Sequence, residues 1–131
     1  MISPEIIKIA SDTTNYGIKK KSNYVASSKN RICGDRITVE VQISNNIIKK
    51  MYYETESCIF CEAAASLLSK IIKKNTIQEF LLLADSVKKE KIILVKKHQP
   101  FKKLFHYKYK KRISCVMLPF DALRKAVSIA I

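Results

Sequence analysis

Ile37, Val39, Val41 and Ile43 alternate with Thr38, Glu40 and Gln42, a period of two that marks a half-buried strand. The Ser44-Asn45-Asn46 run behind it is turn chemistry, because asparagine tolerates positive φ. Ile47, Met51 and Tyr53 carry the apolar face back, so this stretch is committed to a β-hairpin. A three-residue loop pairs Ile43 with Ile47, Val39 with Met51 and Ile37 with Tyr53, and sets Cys33 opposite Ser57. A two-residue loop sets Cys33 opposite Cys58. Either register closes Cys33 and Cys58 at one end, where facing Cβ atoms lie about 5 Å apart. Two thiolates at that spacing reach one metal at about 2.3 Å each.

After Cys58 the period becomes helical. Phe60, Ala63, Ala64, Leu67, Leu68, Ile71 and Ile72 form one stripe. Thr76 then caps a second helix with Glu79 at N3, a capping box. Ser3-Pro4-Glu5 opens an N-terminal helix that Gly17 is placed to stop. A last helix starts near Pro119 and turns Leu123, Ala126, Val127 and Ala130 inward, with Cys115 just ahead of it. A short edge strand fits around Tyr24-Val25-Ala26, in an otherwise polar stretch over 18–32, and residues 91–95 have strand character. Strands come first and helices later. The fold class is α+β, a small antiparallel sheet with helices on one face, in a single domain over residues 1–131.

Charge narrows the partners. Net charge is +14, from 25 basic and 11 acidic residues. Of the basic residues 21 are Lys and 4 are Arg, whereas base reading and bidentate phosphate contacts favour Arg. A nucleic-acid module with a structural zinc would use the lysines and leave a Cys-Gly-Asp triplet at 33–35 unexplained. The charge is therefore read as steering toward acidic partners, not toward nucleic acid. It peaks over 88–112, with 11 basic residues against one acid and Phe101, Phe105, Tyr107 and Tyr109 interleaved. This segment reads as a solvated linker whose aromatics cover the helices, with lysines available for docking. No apolar run approaches the roughly 20 residues of a membrane helix, and no export signal opens the chain, so a cytoplasmic protein without a membrane partner is expected.

Four cysteines, at 33, 58, 61 and 115, are thiols or metal ligands in a reducing compartment rather than disulfides. Gly34 lets the backbone turn between the Cys33 thiol and the Asp35 carboxylate. Cys58 and Cys115 sit at or near predicted helix N-termini, where the dipole favours thiolate. Asp35 adds a hard oxygen to soft sulfurs, and such a ligand exchanges readily. Cys58-x-x-Cys61 is open to reading as half a zinc ribbon or a redox motif, but no second such pair exists. Cys61 itself reads as a small residue one turn into the helix, or as a spare thiol. His98 and His106 have no spacing partner and read as surface or packing residues.

The segments "CGDRITVEV", "SCIFCEAAASLL" and "RISCVMLPFDALRKA", in this order over residues 14–127, resemble the NifU/IscU-type iron–sulfur cluster assembly scaffolds, closest to the SufU branch. The resemblance implies a ligand set of Cys33, Asp35, Cys58 and Cys115, holding a transient [2Fe–2S] cluster or Zn²⁺. It implies a cysteine desulfurase as sulfur donor, with Cys115 as candidate persulfide acceptor, and apo iron–sulfur proteins as cluster acceptors. It implies a scaffold rather than an enzyme; the alternative is a zinc-dependent sulfurtransferase that takes persulfide sulfur from the desulfurase. Departures are local. Ser57 replaces the family's glycine before the second cysteine, and Ser114 replaces the IscU-branch histidine. "YKYKKR" stands in place of a chaperone-recognition motif, and Cys61 falls where relatives usually carry Ser or Ala.

Overall fold

The computed structural model describes residues 2–89, 96 and 98–131; the strand expected over 91–95 lies outside them. The described elements are α1 (Pro4–Ala10), β1 (Val25–Lys29), β2 (Arg36–Ser44), β3 (Ile47–Glu56), α2 (Ile59–Ile71), α3 (Ile77–Lys89), α4 (Pro100–Leu104), a 3-10 helix (Tyr107–Arg112) and α5 (Ile113–Ile129). The three strands form one antiparallel sheet in the order β1-β2-β3. Helices and sheet share one core, in which Ile37, Val39 and Val41 meet Leu68, Phe80 and Phe120. The architecture is the α+β arrangement expected.

The hairpin turn is two residues long. Ser44 pairs with Ile47, and Asn45 and Asn46 take φ of 53° and 64°, as the inward twist of a tight hairpin requires. Neither expected register persists, because the ladder shifts between Gln42 and Ile43. Ile43 faces Ile48 while Gln42 faces Lys50, so Lys49 is an extra residue in a bulge. Beyond it Val39 faces Tyr53 and Ile37 faces Thr55. The ladder ends at Arg36 and Glu56, so Cys33 and Cys58 both lie just past the paired strands.

Two helix boundaries differ from expectation. Helix α1 starts as read, with Ser3 accepting the Glu5 N–H at 3.2 Å and Pro4 in the first turn, but it ends at Ala10. The Asp12 carboxylate takes the Thr14 N–H at 3.1 Å and hydroxyl at 2.6 Å, and this local turn outcompetes the helix. Gly17, at φ +106°, serves instead to dock the chain on β3, its N–H donating to the Tyr53 carbonyl at 2.7 Å. Helix α5 starts at Ile113, not near Pro119, because the 3-10 helix runs straight into it. Pro119 is therefore internal. Its missing N–H leaves the Cys115 carbonyl without the usual i→i−4 donor.

Helix α2 is buried more widely than one stripe. Cys61, Ala65, Ser66 and Ser69 on its other side are also buried. Small residues there let the 12–15 segment approach: the Ser66 hydroxyl donates to the Asp12 carbonyl at 2.9 Å, and the Asn15 amide to Ser69 Oγ at 3.0 Å. The Thr76–Glu79 capping box of α3 forms as expected, with bonds of 2.9 and 3.0 Å. In the basic segment Phe101 and Leu104 enter the core, while Tyr109 stacks on Phe60 at 4.8 Å and its hydroxyl accepts the Ser3 N–H at 3.2 Å. Tyr107 lies against the His106 ring at 4.4 Å and is 80% exposed.

Glu40 also departs from the pattern. It occupies a polar-face position of β2, yet it is 0% exposed. The 18–24 segment wraps over it, and Oε1 accepts the N–H groups of Lys19 and Lys20 at 2.7 and 3.1 Å. Oε2 accepts those of Lys21 and Ser22 at 2.6 and 2.9 Å. Burial pushes this carboxyl up, but the four donors outweigh burial and hold it below its ordinary 4.5.

Candidate metal centre

Three chain segments meet beyond the end of the β2–β3 ladder: the 30–35 loop, the start of α2 and the start of α5. The loop is built by Asn30, which is almost fully buried. Its carbonyl accepts the Gly34 N–H and its own N–H donates to the Asp35 carbonyl, both at 2.8 Å. Its Oδ1 accepts the Ile32 N–H and its Nδ2 donates to Ser114 Oγ, both at 3.0 Å. One side chain thus fixes the loop and ties it to the residue beside Cys115. Gly34 sits at φ +77°, a conformation a side chain disfavours, though open space surrounds the place its Cβ would take.

Cys33, Asp35 and Cys115 each offer a ligand atom, and these atoms all lie within 4.8 Å of one another. Cys33 Sγ and Cys115 Sγ are 3.5 Å apart. Asp35 is 5% exposed; its Oδ1 accepts the Cys58 N–H at 3.1 Å, and its Oδ2 is buried without a partner. Cys58 is the N-cap of α2 and lies outside the 4.8 Å group. Its backbone N–H, held by Asp35 Oδ1, ties it to that group. Neither His98 nor His106 belongs to the cluster; His106 Nδ1 accepts the Lys108 N–H at 3.2 Å.

Burial and crowding work against the expected thiolate character of Cys58 and Cys115. Burial is the main force pushing the Cys58 thiol up, and the neighbouring Asp35 carboxylate adds to it. Cys115 is pushed up strongly by burial and by its contacts with Cys33, Cys58 and Asp35. Helix N-termini are present, but acidic groups this close resist ionising together. A cation among them would reverse the sign. The buried, partnerless Asp35 Oδ2 and the converging sulfurs fit such an ion. Nearby, Glu62 in the first turn of α2 is also pushed up, by burial and by the Asp35 charge.

The 4.8 Å group brings together three of the four residues expected as ligands, Cys33, Asp35 and Cys115, and leaves Cys58 outside. Asn30 was missed. An asparagine ahead of Cys-Gly-Asp is a signal for such a turn, but its long-range bond to Ser114 is not readable locally. A cleft of about 710 Å³ along the sheet is lined by Lys29, Arg31, Arg36 and Lys125 together with Glu54 and Glu56, the last paired with Arg36. Ile32, beside Cys33, is 95% exposed. Cys61 lies under the site, fully buried, with Sγ 3.9 Å from Thr55 Oγ1; burial pushes its thiol up to about 12.

Comparison with known proteins follows the same lines. The chain is 24% identical over 127 residues to the iron–sulfur cluster assembly scaffold protein IscU 1 of Archaeoglobus fulgidus, covering 97% of this chain and 74% of that one. It is 26% identical over 89 residues to the scaffold protein IscU of Thermotoga maritima, covering 68% and 63%. In fold it resembles a putative iron–sulfur cluster assembly scaffold protein for the SUF system from Fervidobacterium islandicum, with a TM-score of 0.80, 22% identity and 95% of each chain covered. It also resembles the N-terminal part of a NifU-like protein from Brucella abortus, with a TM-score of 0.78, 20% identity and coverage of 96% and 91%. The family described as NifU-like N terminal domain matches residues 1–129, and the chain belongs to that family.

Proposed function

We propose that this chain, working as one domain, is a scaffold for iron–sulfur cluster assembly, the role for which its scaffold relatives are named. The observation that carries this is the convergence of Cys33, Asp35 and Cys115, from opposite ends of the chain, within 4.8 Å, with Asp35 Oδ2 unpartnered. Cys58, tied to Asp35 through its backbone N–H, completes the ligand set by turning its side chain toward the same point. Iron and sulfide are the cargo. Thiolates hold iron–sulfur clusters, and the single carboxylate is the labile ligand that permits release. The same donor set suits Zn²⁺.

Sulfur comes from a cysteine desulfurase as persulfide. Cys115, packed against Cys33 and Cys58, is its acceptor. The exposed lysines of the 102–112 stretch give an acidic donor surface a place to dock. Apo iron–sulfur proteins receive the cluster. Four free thiols suit a reducing cytoplasm. Among the described residues no helix is long and apolar enough to cross a membrane. Anaerobic reconstitution with ferrous iron and inorganic sulfide should give a cluster absorption spectrum. Cys58→Ser should abolish it, and an unchanged spectrum would remove Cys58 from the site.

A further inference from the structure

Cys61 has no place in the ligand set. Yet it is held three residues from Cys58 in the first turn of α2, where residue 58 is the N-cap. Side chains on a helix lean toward its N-terminus, so an N3 side chain points back at the N-cap, as in a capping box. Cys61 conforms: its sulfur approaches Thr55 Oγ1 at 3.9 Å, and the Thr55 hydroxyl donates to Ser57 Oγ at 2.7 Å, next to Cys58. Helix neighbours three apart have Cβ atoms about 5–6 Å apart, and a disulfide needs them about 3.5–4.5 Å apart. The two sulfurs can therefore bond once the first turn of α2 tightens by about 1 Å, a movement open to Cys58 because, as the N-cap, it has extended rather than helical backbone.

We propose that Cys58 and Cys61 form a dithiol pair that reduces sulfane sulfur to sulfide on the scaffold itself. The inference rests on the persulfide delivery proposed above. In the first step the Cys58 sulfur takes the outer sulfur of a Cys115 persulfide, leaving Cys115 as a thiol and Cys58 as the persulfide. In the second step the Cys61 sulfur attacks the inner Cys58 sulfur. The Cys58–Cys61 S–S bond forms and the bond to the outer sulfur breaks. The outer sulfur leaves as hydrogen sulfide, taking the Cys61 proton. Persulfide plus thiol becomes disulfide plus H₂S: the sulfane sulfur gains two electrons and the two cysteine sulfurs lose them. No outside reductant enters this turnover, and a small dithiol resets the pair by exchange. Fixed proximity compensates for a buried, weakly acidic thiol.

The layout favours this pair over the closer Cys33–Cys115 contact. A disulfide between 33 and 115 would remove two of the three mutually close ligands. A disulfide between 58 and 61 leaves Cys33, Asp35 and Cys115 free to hold iron while sulfide is released beside them.

The test treats the reduced full-length chain with inorganic polysulfide, without oxygen or added thiol, and maps alkylated peptides under non-reducing conditions. Wild type should show an internal disulfide in the peptide carrying both cysteines and no lasting persulfide. Cys61→Ser should lose the linkage and retain a persulfide on Cys58. A stable Cys58 persulfide in wild type with Cys61 still a free thiol, or a Cys33–Cys115 linkage in its place, overturns the proposal. Reconstitution of wild type with iron and inorganic sulfide bypasses sulfur reduction and reads the scaffold assignment separately. A cluster without the linkage ends the pair and keeps the scaffold; the linkage without a cluster does the reverse.

Discussion

Two buried carboxylates lie five residues apart in this chain, and they are treated in opposite ways. Glu40, in the middle of β2, has both oxygens filled by four backbone N–H groups. Asp35, one residue before β2, has one oxygen bonded to the Cys58 N–H and the other buried with nothing. Burying a charged oxygen without a donor is costly, and native folds rarely leave one so. Glu40 thus shows that this chain can saturate a buried carboxylate when the fold needs it. That Asp35 is left half-saturated, among sulfurs, marks it as a group whose partner arrives from outside. One carboxylate holds the fold together, and the other is kept open for cargo.

The strongest way to break this contrast is to neutralise each carboxylate in turn. Glu40→Gln replaces one double acceptor with an amide NH₂ that faces two N–H donors. The loss of charge-assisted bonds and the unsatisfied donors should lower stability by about 3 kcal/mol in urea unfolding. Asp35→Asn removes a poorly solvated charge and should stay within about 1 kcal/mol of wild type, while changing how long a cluster is held. Equal destabilisation by both would dissolve the distinction. The pH dependence sharpens it. Glu40 is held below its ordinary 4.5 in the folded state, so its stabilisation is complete above that value and is lost as pH falls through the folded one. The stability curve of Glu40→Gln should therefore be flatter than wild type below about 4.5, with no difference in slope above it.

The contrast also explains what was legible in the sequence. The hairpin, the capping box at Thr76 and the helical stripe after Cys58 were readable because period and local hydrogen bonding decide them. Asp35 was readable because Cys-Gly-Asp is a local pattern. Glu40 was not: it sits where alternation assigns a solvent-facing residue, and only the wrap of 18–24, a tertiary event, buries it. The same holds for the thiols. Helix N-termini predict acidic cysteines one at a time, but the raised Cys58 and Cys115 follow from crowding among segments far apart in the chain. Pro119 misled for the opposite reason. A proline commonly opens a helix, and here the preceding 3-10 helix had already begun one.

The next effect should come from Asn30, which supports Asp35 without being a ligand. Asn30→Ala removes both the Ile32 turn bond and the tie to Ser114. The two backbone bonds of residue 30 remain, but the side-chain tie between the Cys33 loop and α5 is lost. Changes to groups that orient metal ligands typically weaken binding about 10–100-fold, and a loss in that range is expected for zinc, read by competition with a chelator. Unchanged affinity would mean that the backbone bonds and Gly34 shape the loop without the Asn30 side chain.

Gly34 should give the smallest effect, and its sign is set by backbone rather than crowding. At φ +77° a side chain is disfavoured, yet an added Cβ would meet nothing within 4 Å. Gly34→Ala should therefore fold with the site assembled and lose only about 1 kcal/mol from the left-handed conformation. Because that strain is local to the loop, the loss should appear as weaker zinc binding if the loop relaxes when metal-free. It should appear as lower unfolding stability if the Asn30 bonds hold the loop in place. Thermal unfolding with and without zinc separates these. A loss seen only with zinc would show that the metal, not Asn30, keeps residues 30–35 closed over Asp35, and so would tie the open carboxylate to its cargo more tightly than the fold does.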